Sequence, residues 1–201
     1  MITEELVPAA EGPMHYVQQS TGLQMVKLSA GHIYVTRKPE RLTTVLGSCV
    51  AVCLRNVETG IGGANHFMLP GQAEQYPIHA EASAELVRYG APAIEQLVHL
   101  VLEGGADHRA LEAKVFGGAS VININSTVAS DNIAFAFNRL STIGIRVVAS
   151  DVGGSSPRKI IYDPLTGKVQ LQRLRSAYEG LIAERERHNI QALLGRTESN
   201  T

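Results

Sequence analysis

The sequence predicts an α+β fold of layered sheets with flanking helices. Short segments of strand character outnumber helical ones. Near the C-terminal end, "RKIIYDPLTGKVQLQRL" carries alternating residues on both sides of a loop containing Pro164 and Gly167, which is a hairpin pattern. No internal repeat divides the 201 residues. Strands closed by a hairpin fit this pattern better than a doubly wound parallel sheet does.

Residues 1–24 lack periodicity and contain Pro, Gln and Ser, which predicts a mobile N-terminal extension. Alternation begins at Met25, where "MVKLSAGHIYVTRKP" predicts one or two strands ended by Pro39. "TTVLGSCVAVCLR" predicts a turn at Gly47 running into a central strand, and "IGGANHFMLP" a glycine-entered strand closed by Pro70. "GQAEQYPIH" reads as a loop. Residues 80–103 predict helix in two pieces, with Pro92 in the first turn of the second, where a missing N–H costs nothing. Ile94, Leu97, Val98 and Val101 give that helix a buried stripe, and Gly104-Gly105 stops it.

"AKVFGGASVI" predicts a buried strand interrupted by a close-packed glycine pair. Ser130 or Asp131 is the expected cap of a second helix, with Ile133, Phe137 and Leu140 facing inward. "GIRVVASDVGG" predicts a strand, followed by the hairpin. Beyond Leu174, the spacing of Tyr178, Leu181, Ile182, Ile190, Leu193 and Leu194 predicts a terminal helix before the polar "GRTESNT". The expected plan is an extension over 1–24, a core domain over 25–174, and a helix with tail over 175–201.

With 44% hydrophobic and 18% charged residues and a formal net charge of −1, the composition is that of an ordinary globular protein. That balance gives no reason to expect nucleic acid or an anionic membrane as partner. No apolar run approaches the roughly 20 residues of a membrane span, so membrane insertion is not expected. "MITEELVPAAEGP" lacks the basic-then-apolar order of a secretory signal. Two cysteines and no export signal suggest a reducing cytoplasm.

Those two cysteines lie in one stretch, "TTVLGSCVAVCLRN". On a strand, Cys49 and Cys53 would stand about 13 Å apart, at roughly 3.3 Å per residue. A disulfide needs Cα atoms within about 7 Å. The two are therefore not a pair. Cys49 follows Gly47-Ser48, where backbone N–H groups of a turn, those of Ser48 and Cys49, can converge on a developing oxyanion. His66, 17 positions on, is a candidate base because the next strand would lie about 4.8 Å away. Thr43, Thr44 and Asn65 are candidates to orient the imidazole. The alternative is that Cys49 and His66 are packed core residues. Cys53, between Val52 and Leu54 with no turn or histidine nearby, reads as core filling.

No CxxC, HExxH or Cys₂His₂ spacing is present, and His15, His32, His79, His99, His108 and His188 are scattered, so neither metal nor cofactor is expected. "DVGGSSPRK" reads as a turn between strands, with an anion nest as its alternative.

"TTVLGSCVAVCLRN", then "GGANHFMLP", "LEAKVFGGAS", "DVGG" and "RKIIYDPLTGKVQLQRL", in that order over about residues 25–174, resemble the CheD family, the chemoreceptor glutamine deamidases of bacterial chemotaxis. The resemblance implies a cysteine-hydrolase-like deamidase fold for the core domain. It implies hydrolysis of selected glutamine side chains on methyl-accepting chemoreceptors, with Cys49 as nucleophile, His66 as base and Thr43, six positions before the cysteine, as third member. It also implies a CheC-type phosphatase as a further partner. Where many members carry a Gly- and Arg-containing segment before the second long helix, this chain has "STVASDNIAFAF", with Asn132 at the equivalent asparagine. Two other classes fit the residues: a thiol hydrolase acting on another amide or ester, and a non-catalytic module that docks on a receptor or phosphatase.

Overall fold

A computed structural model describes residues 12–71, 86–105, 107–121 and 127–174, together with residues 180–182, 184, 187, 188 and 191. Its elements in chain order are β1 (Met14–Gln18), β2 (Leu23–Lys27), β3 (His32–Thr36), β4 (Glu40–Leu46), β5 (Val50–Asn56), β6 (Gly62–His66), α1 (Gly90–Glu103), β7 (Leu111–Gly117), α2 (Val128–Thr142), β8 (Arg146–Val152), β9 (Arg158–Tyr162) and β10 (Val169–Arg173). The strands form two five-stranded sheets, one in the order β1-β2-β4-β9-β10 and the other β3-β6-β5-β7-β8. This is the α+β class expected from the sequence.

Helices α1 and α2 both lie on the second sheet, α1 over β3, β5 and β6, and α2 over β5, β7 and β8. Three layers result: sheet, sheet, helices. The layering explains the apolar run of β5, whose residues alternate between two cores because a strand packed on both faces has no solvent side. Val50, Val52 and Leu54 face the helices with Ile94, Leu97 and Leu140. Cys49, Ala51 and Cys53 face the other sheet with Leu42, Leu46 and Ile160.

Helix α1 buries the expected stripe of Ile94, Leu97, Val98 and Val101. Gly105, at φ 82°, follows its end in the left-handed conformation that glycine adopts without steric cost. The first helical piece expected before it is a short 3₁₀ turn at Leu86–Arg88, and residues 80–85 lie outside the described residues. The loop expected at 71–79 likewise falls outside them from residue 72. Of the expected C-terminal helix, the residues described beyond Leu174 are helical.

Two expectations are corrected. Within the supposed mobile extension, Met14–Gln18 form strand β1, paired antiparallel with β2 from Met14↔Lys27 to Gln18↔Leu23. Its turn is closed by the Gly22 N–H donating to Gln18 O at 2.8 Å. The strand was hidden because it lies at the sheet edge with Met14 and Val17 each 51% exposed. Backbone pairing rather than burial holds it, so no apolar alternation marks it.

Helix α2 starts earlier than Ser130 or Asp131: Thr127 is its N-terminal flanking residue, and Ser130 Oγ donates to Thr127 O at 2.7 Å. Its fully buried residues are Ala129, Asn132, Ala136 and Leu140, while Ile133 and Phe137 are only partly covered. A single sheet below a helix buries a narrow stripe, and small residues sit at its centre where the layers approach.

The hairpin β9–β10 forms with Val169 opposite Tyr162. The "DVGGSS" turn between β8 and β9 is held from inside by Arg158, 1% exposed. Its guanidinium donates to Asp151 Oδ1 at 2.6 Å and to the Gly153 and Ser156 carbonyls. A turn that directs carbonyls at its own arginine is the reverse of an anion nest.

Candidate functional site

Cys49 sits in the three-residue link between β4 and β5, and the carbonyls of that link are held one after another. Gly47 O accepts from Ala119 N at 2.6 Å, and Cys49 O from Gly118 N at 2.8 Å. Ser48 O accepts from Asn132 Nδ2 at 3.1 Å. The glycine pair of "KVFGGAS" makes this possible. Gly117, at φ 111°, comes so close that a Cβ there would collide with Cys49 O, so the close-packed glycines expected from the sequence wrap the turn that carries Cys49.

His66 ends β6, which runs antiparallel beside β5. The register Cys53↔Ala64, continued by the bridge Val50↔Phe67, puts His66 opposite Ala51 and diagonal to Cys49 on one face. Such diagonal neighbours have Cα atoms about 7–8 Å apart, within reach of a long side chain. The sequence expectation that the two residues face each other across neighbouring strands holds. Both lie between the two sheets, Cys49 2% and His66 5% exposed.

The imidazole is oriented by Thr44. His66 Nδ1 and Thr44 Oγ1 are 2.8 Å apart, and Thr44 Oγ1 donates to Leu28 O at 2.8 Å. A carbonyl can only accept, so the one hydroxyl proton goes to Leu28 O and the ring must donate from Nδ1. That leaves Nε2 as the basic nitrogen. Thr43, the third member expected from the resemblance, does not meet the ring: its Oγ1 donates to Ile160 O at 2.9 Å. The reason is the period of 2 along β4. Leu42, Thr44 and Leu46 point to the inter-sheet core, and Thr43 points to the opposite face.

Asn65 also faces away from the site. Its Oδ1 accepts the Val52 N–H at 2.9 Å, replacing the backbone acceptor expected at that point of the β5–β6 ladder. One histidine that sequence reading left among the scattered six lies close by: His32 on β3 is the direct cross-strand partner of His66. Its Nδ1 accepts the Ser29 N–H at 3.2 Å.

Cys53 is packed in the inter-sheet core. Burial pushes its pKa far up from the ordinary 9.0, and the Lys114 ammonium offsets this only in part. Tyr162 is raised too, by burial first and then by the neighbouring Cys53. A group whose folded pKa is raised stabilises the fold below its unfolded value, and that contribution is lost as pH climbs past it. The thermal midpoint of the protein is therefore expected to fall above about pH 9, and Cys53→Ala to reduce that alkaline slope, as read by thermal scans against pH. An unchanged slope in Cys53→Ala would refute the assignment. Native protein is expected to take up one iodoacetamide, at Cys49, and denatured protein two.

Fold and site together define a class: layered α+β proteins that hold a cysteine–histidine pair between two sheets. The family described as CheD chemotactic sensory transduction matches residues 68–173. The "Probable chemoreceptor glutamine deamidase CheD" of Hahella chejuensis is 41% identical over 175 residues, covering 87% of this chain and 82% of that protein. The protein of the same name from Hydrogenovibrio crunogenus is 39% identical over 173 residues, covering 86% of this chain and 90% of its own. That of Vibrio vulnificus is 35% identical over 189 residues, covering 92% and 88%. The chain belongs to the CheD family.

Proposed function

We propose that the protein hydrolyses selected glutamine side chains of chemoreceptors to glutamate, releasing ammonia, through a thioester on Cys49. The observation that supports this reading best is the Thr44-bound imidazole, whose Nδ1–H is committed to Thr44 Oγ1 and whose Nε2 is therefore the base on the face shared with Cys49. Nε2 takes the thiol proton and the thiolate attacks the amide carbon. The oxyanion forms beside the Ser48-Cys49 backbone, where N–H groups can stabilise it. As the tetrahedral intermediate collapses, the C–N bond breaks and His66 delivers its proton to the leaving nitrogen, giving ammonia. Nε2 then activates water, which splits the thioester into glutamate and free thiol. Among the described residues, the group bonded to the imidazole Nδ1 is a hydroxyl that relays to a carbonyl, which stabilises an imidazolium less than a carboxylate does. A weakly stabilised imidazolium implies a modest rate.

The substrate comes from the names of the relatives, chemoreceptor glutamine deamidases. In this reading the receptor segment that reaches Cys49 belongs to the receptor's cytoplasmic part. The CheC-type phosphatase implied by the resemblance would be a second partner at the same cleft.

The test is mass spectrometry of a chemoreceptor cytoplasmic fragment incubated with the protein. Specific glutamines are expected to gain about one dalton, the amide-to-acid change of thiol-dependent hydrolysis. If no cognate receptor fragment gains mass, the proposal fails. Thr44 and Thr43 separate in the same assay. Thr44→Val is expected to slow deamidation about 10- to 100-fold and to alter its pH profile, because the imidazole loses the partner that sets its tautomer. Thr43→Val should change the rate less than about 3-fold while costing roughly 1 kcal/mol of stability for one buried hydrogen bond. The opposite ranking would return the role to Thr43.

A further inference from the structure

We infer that Asn132 is a positioning residue for the thioester chemistry: it aims the Cys49 N–H at the oxyanion and locks the nucleophile turn to the histidine strand. The inference rests on the deamidase reading above. Asn132 lies on α2, fully buried, and its carboxamide nitrogen donates to Ser48 O at 3.1 Å and to Met68 O at 2.8 Å. Both partners are carbonyls, so the group between them must be the NH₂ and the side chain has one possible orientation. Ser48 immediately precedes the nucleophile, and Met68 is two residues past His66. One side chain therefore fixes both strands of the site.

The geometry gives the contact its consequence. No cis peptide bond is present among the described residues, so C=O of Ser48 and N–H of Cys49 point in opposite directions across one plane. Asn132 pulls the carbonyl toward the helix layer. The Cys49 N–H is thereby turned away from the helices, toward the inter-sheet side where Cys49 packs and where the register places His66, opposite Ala51. Neighbouring carbonyls of Gly47 and Cys49 are held by backbone donors, Ala119 N and Gly118 N. Among the described residues, Ser48 O is the carbonyl of this turn held by a side chain, so it is where a substitution can loosen the oxyanion donor without touching a reacting group. Nothing in the sequence spacing marks this role, because Asn132 stands 84 residues from Ser48 and 64 from Met68.

Acyl transfer develops an oxyanion, whereas alkylation by iodoacetamide does not, so the two reactions of one thiol separate positioning from folding. Asn132→Ala in the full chain is expected to lower kcat for receptor-glutamine deamidation about 10- to 100-fold, with KM within about twofold, a loss smaller than removing an oxyanion donor outright. Iodoacetamide alkylation of Cys49 in the same preparation should slow less than about threefold, since it needs only thiolate. Hydrolysis of p-nitrophenyl acetate, which also passes through an oxyanion, should fall in parallel with deamidation. Equal losses in acyl transfer and alkylation would mark Asn132 as merely structural and overturn the inference, as would no loss in either. If wild-type protein hydrolyses the ester but leaves receptor glutamines intact, the deamidation reading falls while the ester-to-alkylation ratio still decides the role of Asn132. Wild-type protein inert toward both substrates overturns both, since no oxyanion then forms. Should Asn132→Ala not fold, Asn132→Ser, which keeps one hydroxyl donor in a smaller volume, is read by the same ratio.

Discussion

Cys49→Ala is expected to abolish the mass gain on receptor glutamines, a loss of about 10⁴-fold or more, because the other thiol on that face, Cys53, is kept protonated by burial. The measurement is the deamidation rate from intact and peptide mass spectra of a receptor fragment. Thermal unfolding should move by less than roughly 1–2 kcal/mol, since a small buried thiol is exchanged for a methyl group in the inter-sheet core. Cys49→Ser should likewise leave a folded, inactive protein, as a hydroxyl is far less acidic than a thiol and is not ionised by a neutral imidazole. His66→Ala should lower the rate by a comparable factor and remove the enhanced alkylation of Cys49 near neutral pH. A His66→Ala protein that still alkylates as fast as wild type at pH 7 would overturn the proton-transfer pairing, whatever its deamidation rate.

Arg158 carries the largest expected effect on stability. Its guanidinium is buried and bonds Asp151 together with the carbonyls of Asp151, Gly153 and Ser156. Burial lowers its pKa, partly countered by Asp151, yet it stays charged. Arg158→Leu strands three inward carbonyls and removes one partner of a carboxylate. Breaking a buried ion pair from one side costs about 3–5 kcal/mol. The lower end, about 3 kcal/mol, is expected here because Asp151 keeps Arg173 at 2.8 Å. Urea unfolding checks this. A loss under about 1 kcal/mol would show that the turn does not depend on the arginine. The consequence reaches the site, since Gly153 N donates to Gly117 O at 3.0 Å and Gly154 O accepts from Ser120 N, beside the glycines that wrap Cys49.

Much of the molecule was legible from local pattern. The apolar run of β5, the stripe of α1 and the β9–β10 hairpin follow from periods of 2 and 3.6 and from turn residues, and each appears where those periods put it. Strand β1 was not legible, because an edge strand held by its backbone needs no apolar alternation. The N-terminus of α2 was misread by about three residues, since two polar candidates follow the true flanking residue Thr127.

The site divides in the same way. Cys49 at a glycine turn and His66 on the next strand are consequences of chain order: adjacent antiparallel strands bring a residue 17 positions away onto the same face. The choice between Thr43 and Thr44 was within reach of the sequence. Leu42 and Leu46 already mark the inward face of β4, and Thr44 lies between them in that alternation. The resemblance, counted by position from the cysteine, gives Thr43, whose hydroxyl bonds Ile160 O.

The sequence alone determined most of the elements and the placing of Cys49 and His66 on one face of adjacent strands, because each depends on local conformation and on strands consecutive in the chain. Only the tertiary structure decided that Thr44 Oγ1 joins the ring to Leu28 O, that Arg158 fills its own turn, and that Asn132 clamps Ser48 to Met68. Those contacts join separate layers, and strand or helix periodicity says which face a side chain takes but not which distant residue waits on that face.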